Sequence, residues 1–300
     1  MPPLTPEPHK ANLIINTKPP IDLTTFCEGI ALHDNGIWYG KQSEPVSYPT
    51  VGNEQSYAVE DRSFWFRHRN DCIRTVIEML PPDKGEPIFD IGGGNGYVAA
   101  HLCAAGYPTV VLEPGPNGAA NAKQRGVANV VCSTFNTAQF RAKTVGAIGL
   151  FDVVEHVENN SAFISKVRDV LKPGGRLYVT VPAYNWLWSD EDIRAGHHRR
   201  YTINKLARSI GDAGFRIDFA TYVFAFLPIA IFVARTLPFV ASKIIRYRHA
   251  PTEIHGHSHH EKHALLTNAI TLLTRREIKL ISQCKPIRFG SSCLVAATRG

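Results

Sequence analysis

The sequence lacks several features that would place it outside the cytoplasm. Its six cysteines form no C-x-x-C pair, so we expect reduced thiols. Its first residues lack the basic stretch and apolar stretch of an export signal. The uncharged apolar segment 223–234 contains Pro228 and ends at Arg235, short of the roughly 20 residues that cross a bilayer. We therefore expect a cytoplasmic protein, with membrane association left open.

The composition excludes fibrous and disordered classes. The chain has 300 residues, of which 44% are hydrophobic and 20% charged, enough to bury a large core. The formal net charge of +7 and the pI near 9.1 suit an acidic partner, such as nucleic acid, anionic lipid or a phosphorylated metabolite. The charge is diffuse, so a solvated basic surface is an equally open interpretation.

Strand-like and helix-like segments alternate along the middle of the chain. This alternation predicts an α/β fold with a doubly wound, Rossmann-like sheet, mostly parallel, to which residues 292–297 add one antiparallel strand. Residues 1–55 are rich in Pro, Asn, Thr and Gly and are expected to be an N-terminal extension. Residues 222–288 are too long for a hairpin loop and predict a helical cap. The main domain would comprise residues 56–221 and 289–300.

A short apolar strand runs through Asp90 and breaks into glycines. Gly92, Gly94 and Gly96 permit positive φ, and the helix that follows would point its free N–H groups at the same place. This pattern is typical of a turn that cradles a nucleotide. Tyr97 stands where a dinucleotide-binding G-x-G-x-x-G motif has its third glycine, which weakens an assignment to NAD.

Four ordered segments resemble the motifs of class I S-adenosylmethionine-dependent methyltransferases. They are D-x-G-x-G-x-G from Asp90, an acid at Glu113, D-x-x-E-H at 152–156 and L-K-P-G-G-R-L at 171–177. The resemblance covers about residues 65–221 and the last strand. It implies that the cofactor is S-adenosyl-L-methionine.

The resemblance also implies roles for individual residues. Gly92, Gly94 and Gly96 would pass beneath the methionine and ribose portions of the cofactor. Asp90 would fix the turn or meet the cofactor's amino group. Glu113 would accept hydrogen bonds from both ribose hydroxyls, which suits a carboxylate.

Two further cofactor contacts are less specific. Ser133 stands about where many relatives have an acid that binds the adenine amine, so adenine recognition would rely on backbone and Phe135, or Ser133 is an ordinary loop serine. Residues 64–69 resemble the F-W-F-x-x-R-N opening of a bacterial subfamily. We expect Trp65 or Arg67 to close over the cofactor; the alternative is that the aromatics pack and the arginines are solvated.

The D-x-x-E-H segment provides Asp152 for the cofactor and Glu155 and His156 as candidate catalytic residues. A similar segment in ubiquinone-pathway O-methyltransferases is associated with a divalent metal. Three interpretations stay open: a metal site, contact with cofactor or substrate, and a structural hydrogen-bond cluster. A metal is possible but not favoured, since many relatives carry the same segment without one, and oxygen ligands plus one imidazole would suit Mg²⁺ poorly but tolerably.

Aromatic, imidazole and guanidinium groups are dense in residues 182–201. The segment resembles the W-S-x-x-D-x-x-x-G-H-x-R-R-Y-T segment of a bacterial methyltransferase subfamily associated with cell-surface or secondary-metabolite pathways. His197 and His198 are the candidate bases, because imidazole titrates near neutrality. His197 is preferred because it holds the G-H position of the motif.

The same segment is expected to bind the acceptor. Arg199 or Arg200 would pair with a phosphate or carboxylate. Alternatively, the arginines pair with Asp190 and Asp192 and hold the loop closed. The remaining predicted acceptor contacts are aromatic: Tyr184, Trp188 and Tyr201.

Three roles are open for the insertion: a cap over an apolar acceptor pocket, shallow membrane contact aided by Lys243, Arg246 and Arg248, and core or dimer packing. The histidine-rich run 255–263 is expected to be a mobile polar loop rather than a metal site.

Together these features predict methyl transfer to a small or amphipathic, anionic metabolite, with O- or C-methylation favoured. A catalytically silent cofactor-binding module that regulates a partner is one alternative. A nucleic-acid methyltransferase is another, but the sequence has no N/D-P-P-Y/F-type motif and no separate nucleic-acid domain, so no nucleic-acid partner is expected. The sequence leaves the oligomeric state open.

Overall fold

The computed structural model describes residues 21–41, 57, 59–246 and 264–300. One nine-stranded sheet has the strand order β1-β2-β5-β4-β3-β6-β7-β9-β8. Its strands are β1 (Ile30–Leu32), β2 (Trp38–Gly40), β3 (Ile88–Ile91), β4 (Thr109–Leu112), β5 (Asn129–Cys132), β6 (Val145–Phe151), β7 (Leu171–Pro182), β8 (Phe215–Val223) and β9 (Ser292–Arg299). The helices of the main domain are α1 (Phe64–Met79), α2 (Tyr97–Ala104), α3 (Pro116–Gln124), α4 (Asn160–Val170), α5 (Asp190–Ala195) and α6 (Ile203–Asp212).

The four central strands β3, β4, β5 and β6 are buried along their whole length, because helices cover both faces of the sheet. On one face, Phe89 and Leu150 pack in a core cluster with residues of α4 and α6. On the other, Ile88 and Tyr178 pack with residues of α1 and α2. The predicted doubly wound α/β fold is confirmed. The carboxyl ends of β3, β4 and β6 therefore meet at one edge, where ligands of such sheets bind.

The sheet has two antiparallel strands rather than the one expected. Strand β9 is antiparallel to β7 and β8, as predicted, and β1 is antiparallel to β2. β1 and β2 come from residues 21–41, which the sequence assigned to the N-terminal extension. Each is three residues long, too short for an alternating pattern to be recognised, and β2 is positioned by parallel pairing with β5. Residues 1–20 and 42–55 lie outside the described residues.

The K-P-G-G segment lies within β7 rather than in a turn between α4 and the strand. Gly174 has a positive φ of 77°, and the β6–β7 register shifts between Val145 and Ala147. The chain bends here without ending the strand pairing, which is the effect of a bulge.

The segment between β8 and β9 is helical over most of its described residues. It comprises α7 (Leu227–Ile231), a π-helical turn (Phe232–Thr236), α8 (Leu237–Arg246) and α9 (Ala264–Ser282). In α9, Glu277 accepts hydrogen bonds from the N–H groups of Phe224 and Ala225 and contacts His68 Nε2 of α1 at 2.7 Å. These bonds fix the insertion to the first helix of the main domain.

Some predictions about the insertion fall beyond what the structure describes. The histidine-rich run 255–263 and Arg248 lie outside the described residues, as do the side chains of Lys243 and Arg246. Among the helices that are described, none has both the length and the apolar character needed to cross a bilayer.

Candidate active site

The turn after β3 is left-handed at alternate positions. Gly92, Gly94 and Gly96 have φ values of 69°, 53° and 71°. A Cβ on Gly96 would lie 2.7 Å from Cβ of Ala122, and one on Gly92 would lie 2.9 Å from a methyl group of Val153. Conformation and space therefore both require glycine at these two positions. Helix α2 begins directly after the turn, so its free N–H groups face the same opening.

Glu113 follows β4 and holds the glycine turn in place. Its Oε2 accepts a hydrogen bond from the Gly94 N–H at 2.9 Å, and its Oε1 accepts one from the Gly115 N–H at 2.8 Å. Each carboxylate oxygen has two lone pairs and so can accept more than one hydrogen bond. This arrangement is compatible with the predicted contact to two ribose hydroxyls.

Asp90 lies under the same turn and is almost completely buried. Neither of its carboxyl oxygens has a hydrogen-bond partner in the described part of the chain. Burial raises the pKa of Asp90 to about 7, while the charge of Arg69 opposes the rise and that of Glu113 adds to it. A buried polar group without a partner is costly, so the site suits a ligand that donates hydrogen bonds here. The ammonium group of S-adenosylmethionine is such a donor, and the residues present fit this cofactor.

Ser133 lies after β5 within a local hydrogen-bond network. Its hydroxyl lies 2.8 Å from Thr137 Oγ1 and donates to the Thr134 carbonyl. Phe135 packs against Phe140 and Phe163, with ring centroids 5.0 and 5.4 Å away. These contacts are those of an ordinary loop serine, which was one of the two interpretations of Ser133. Contact between Ser133 and adenine stays a prediction.

Asp152 and Glu155 follow the carboxyl end of β6. Val153, which lies between them in the sequence, is close to Gly92 of the glycine turn. Asp152 has a φ of 59°, accepts a hydrogen bond from Thr180 Oγ1 at 3.1 Å and pairs with Arg69 Nη1 at 3.1 Å. Glu155 is completely buried, and its two carboxyl oxygens have no hydrogen-bond partner among the residues the structure describes. Burial, followed by the charge of Asp152, raises the pKa of Glu155 well above its usual range. Burial therefore favours the neutral form of the Glu155 side chain over its carboxylate.

Glu155, His156 and His197 form one cluster whose potential ligand atoms lie within 4.8 Å of one another. One carboxylate and two imidazoles suit a transition-metal ion better than Mg²⁺. Burial, together with the charge of His197, lowers the pKa of His156 to about 4, so its ring is neutral. The distances and donor types permit a metal, and the preference for a site without one stays a prediction.

The loop after β7 is organised around the buried Asp192. His197 Nδ1 lies 2.8 Å from Asp192 Oδ1, and Arg200 donates from Nε and Nη2 to the two carboxyl oxygens at 2.7 and 2.9 Å. The Ser189 N–H donates to Oδ2 at 2.9 Å in a capping box at the start of α5. Burial opposes ionisation of Asp192, but the hydrogen bonds from His197 and Arg200 outweigh it and hold the pKa well below its usual range. Asp192 is an ionised, fully bonded anchor.

These contacts change the roles expected of Arg200 and Tyr201. The guanidinium of Arg200 pairs with Asp192. This is the alternative in which the arginines pair with acids and hold the loop closed, and the acid is Asp192 rather than Asp190. Tyr201 is buried in the core, and its hydroxyl accepts a hydrogen bond from Asn160 Nδ2 at 2.9 Å. Both residues hold the loop, and their contact with an acceptor stays a prediction.

Other residues of the loop are more accessible. His198 is exposed, and its N–H donates to the Glu155 carbonyl at 2.8 Å. Arg199 is half-buried and donates to the Glu158 carbonyl at 2.6 Å. Trp188 is half-buried, and the structure shows one contact of its backbone, from its N–H to the Asn185 carbonyl.

Tyr184 belongs to an aromatic cluster that joins the loop to the insertion. Its ring stacks on Tyr222 and Trp186 with centroids 5.1 and 5.7 Å away, and Trp186 contacts Phe232 and Phe289. Trp186, Phe232 and Phe289 each keep about two fifths of their surface exposed. This aromatic cluster offers an apolar surface close to the loop that carries His197.

Helix α1 places Arg69, not Arg67, beside the site. Arg67 is exposed and donates to the Asp61 carbonyl, and Trp65 stacks flat on Phe224 with centroids 5.5 Å apart. The Arg69 guanidinium lies 5.4 Å from the Trp65 ring centroid. Trp65 and Arg69 are four residues apart and so share one helix face. The arginine of the F-W-F-x-x-R-N opening also aligns with Arg69, so motif and helix spacing agree on this residue, whereas Arg67 was the residue expected.

Comparison with known proteins supports the assignment suggested by this geometry. A family model described as "Methyltransferase domain" matches residues 64–218. Ubiquinone biosynthesis O-methyltransferase from Rattus norvegicus is 32% identical over 123 residues, which cover 37% of this chain and 36% of the relative. A ubiquinone/menaquinone biosynthesis C-methyltransferase from Rubrivivax gelatinosus is 29% identical over 119 residues, which cover 38% and 47%. The alignments thus span less than half of each relative.

A solved structure supports the fold independently of sequence. Phosphoethanolamine N-methyltransferase 2 from Haemonchus contortus, in complex with S-adenosyl-L-methionine, superimposes with a TM-score of 0.52 at 14% identity, covering 85% of this chain and 58% of that one. The family model covers more than half of the present chain, including the glycine turn, Glu113 and the D-x-x-E-H segment. The chain therefore belongs to the family of S-adenosylmethionine-dependent methyltransferases with a Rossmann-like fold.

Proposed function

We propose that this protein transfers a methyl group from S-adenosylmethionine to an oxygen or carbon atom of a small, amphipathic, anionic acceptor. The observation that carries the proposal is the pair of buried carboxyls at the glycine turn. Glu113 holds the turn from one side, and Asp90 lies beneath it without a partner among the described residues. The names of the rat and R. gelatinosus relatives support oxygen and carbon as methyl acceptors.

The cofactor, when bound, supplies a methyl group that is already electrophilic because it is attached to a sulfonium. The protein then has to position the acceptor and take up its proton. In this assignment Glu113 binds the ribose hydroxyls and Asp90 the ammonium group, while the backbone of the glycine turn lies under both.

His197 is assigned as the base that takes the proton. The carboxylate of Asp192 can only accept hydrogen bonds, so the contact at 2.8 Å requires the proton to be on His197 Nδ1. Nε2 then keeps its lone pair for the acceptor's proton, and Asp192 stabilises the imidazolium that forms. The neutral ring of His156, whose centroid is 4.8 Å from that of His197, supports the ring orientation.

The acceptor is assigned to the aromatic cluster and to Arg199. Tyr184 and Trp186 offer flat apolar surface beside the loop, which suits the apolar part of an amphipathic molecule. Arg200 is engaged by Asp192, so the anionic group is assigned to Arg199. A guanidinium has five donors, and the bonds of Arg199 to the Glu158 carbonyl and to the Tyr201 hydroxyl leave others for an anion.

The insertion carries an exposed apolar stripe that suits a lipid surface. Its residues lie on one helical face at spacings of three, four, eight and eleven from the first: Ile229, Phe232, Val233, Leu237 and Val240. In the sequence the stripe leads to Lys243, Arg246 and Arg248, whose charge complements anionic lipid. We propose peripheral contact of this stripe with an anionic bilayer.

Vesicle flotation tests this contact. The protein should float with phosphatidylcholine vesicles that contain phosphatidylglycerol, and less with phosphatidylcholine alone. A Phe232→Ser, Val233→Ser variant should lose flotation, whereas Leu272→Ser, a change at a still more exposed apolar residue on α9, should keep it. Unchanged flotation of the double variant would contradict the proposal.

Methyl transfer itself is tested by incubating the protein and trideuteromethyl-labelled S-adenosylmethionine with polar and lipid extracts. A labelled small molecule carrying an acidic group is the expected product. Labelled RNA or DNA would favour the nucleic-acid alternative. No labelled product from a protein that binds S-adenosylhomocysteine would favour the silent regulatory module.

A further inference from the structure

Three side chains that can bind a metal converge in the core between the insertion and the main domain. His68 and Cys72 are one helical turn apart on α1, and Glu277 comes from α9 of the insertion. All three are buried, and one potential ligand atom from each lies within 4.8 Å of the others. None of them takes part in the proposed methyl transfer, so their convergence needs a separate explanation.

The surroundings of these three residues are apolar. Cys72 packs in a core cluster with Ile73, Phe224 and Ile281, and the Phe224 ring lies edge-on to the His68 ring with centroids 5.0 Å apart. The hydrogen bonds described for the Cys72 thiol both go to the His68 ring. Ionisable groups in such surroundings are paired with one another or coordinate a metal.

We propose that His68, Cys72 and Glu277 bind a zinc ion that joins the insertion to the main domain. A thiolate, an imidazole and a carboxylate are all ligands that zinc takes in proteins. Zn²⁺ together with a thiolate and a carboxylate carries no net charge, which suits the apolar core. Because Glu277 has two carboxyl oxygens, the three residues can supply four ligand atoms.

The distances define the movements that metal binding requires. Cys72 Sγ lies 3.6 Å from His68 Nε2, close to the separation of about 3.5 Å that zinc bonds of about 2.3 and 2.0 Å give in a tetrahedral site. Sγ is also 4.0 Å from Nδ1, so the thiol has to turn toward Nε2. Glu277 Oε2 lies 2.7 Å from Nε2 and has to move back by about 0.6 Å as zinc replaces the proton between them. That proton and the thiol proton pass to solvent.

Cobalt(II) is the probe for this site, because a thiolate bound to Co²⁺ gives a charge-transfer band in the near ultraviolet. The full chain, produced in minimal medium with added cobalt, should show this band and contain equimolar cobalt by plasma mass spectrometry. Cys72→Ser should lose the band. The Glu155, His156 and His197 cluster and the histidine-rich run 255–263 contain no cysteine, so neither can produce it.

Cys284→Ser is the matched control, because Cys284 is an exposed cysteine outside the cluster. This variant should keep the band. Cys72→Ala, an apolar replacement that suits the core, takes the place of Cys72→Ser if that variant does not fold.

Thermal unfolding tests whether the metal joins the two parts of the chain. At a zinc concentration about 100 times its Kd, the Tm of the chelator-treated protein should rise by about 5 to 10 °C. The Cys72 variant should lose most of this rise, whereas Cys284→Ser should keep it.

Absence of the cobalt band from the unmodified protein would overturn the inference, as would a band that remains in the Cys72 variant. Loss of the band in Cys284→Ser would assign the metal to a surface thiol and would overturn it too. A Tm that zinc leaves unchanged would contradict the role of the metal in joining the insertion to the main domain.

Discussion

The two sides of the site differ in how their buried charges are satisfied. On the cofactor side, Asp90 is buried with both carboxyl oxygens unpaired within the described chain. On the acceptor side, Asp192 is equally buried but accepts hydrogen bonds from His197, Arg200 and Ser189. The cofactor side thus needs a ligand to complete it, whereas the Asp192 network on the acceptor side is already organised, although Glu155 beside it has no hydrogen-bond partner for its carboxyl oxygens among the described residues. Substitutions on one side should therefore affect binding, and those on the other should affect turnover and stability.

The largest effect is expected at His197. His197→Ala removes the base, so kcat should fall by about 10²- to 10⁴-fold. S-adenosylhomocysteine should bind as before, because the imidazole belongs to the acceptor side. Steady-state kinetics with the acceptor found by labelling measures the first quantity and calorimetry the second. His33→Gln, far away beside Tyr39, is the control. Normal turnover by His197→Ala would show that His197 is not the base.

Asp192→Asn should destabilise the protein. It leaves the mostly buried Arg200 guanidinium without its counter-charge, which costs about 3 kcal/mol of unfolding free energy. Denaturant unfolding measures this loss. If the variant is as stable as the original, the loop is not held by this network.

Glu113→Ala should reduce affinity for S-adenosylhomocysteine by about 100-fold, since it removes a charged acceptor of two hydrogen bonds and frees the glycine turn. Asp212→Ala, an exposed acid at the end of α6, serves as the control in the same calorimetric titration. If Glu113→Ala binds S-adenosylhomocysteine with an affinity within threefold of that of the unmodified protein, Glu113 does not bind the ribose.

The smallest effect is a pH dependence of binding that arises at Asp90. The raised pKa of about 7 means that the carboxyl is protonated below pH 7 and ionised above it. An ammonium group binds the ionised form, so the Kd of S-adenosylhomocysteine should fall about tenfold from about pH 6 to about pH 8. Asp90→Asn should flatten this profile. The opposite slope in the unmodified protein would contradict the contact.

The sequence predicts much of the central sheet because local patterns determine it. Strands β4 and β6 can be located from the sequence, since each is a continuous apolar run between turn residues. β1 and β2 were not predictable from pattern, because a three-residue strand is defined by its pairing with a neighbour.

The site residues also differ in whether a local sequence pattern predicts them. The glycine turn and Glu113 follow from motif spacing, and so does Arg69, because the arginine of F-W-F-x-x-R-N aligns with it rather than with Arg67. The pairing of Arg200 was an open alternative. The S-x-x-D pattern from Ser189 to Asp192 marks a helix start and distinguishes Asp192 from Asp190 as the anchored acid.

Calorimetric titration of the full chain with S-adenosylhomocysteine tests the central claim most directly. If the cofactor side is built to be completed by this ligand, the protein binds it with a micromolar or lower Kd, and Asp90→Asn and Glu113→Ala weaken the binding. No binding at micromolar concentrations would contradict the assignment of the glycine turn as a methyl-donor site.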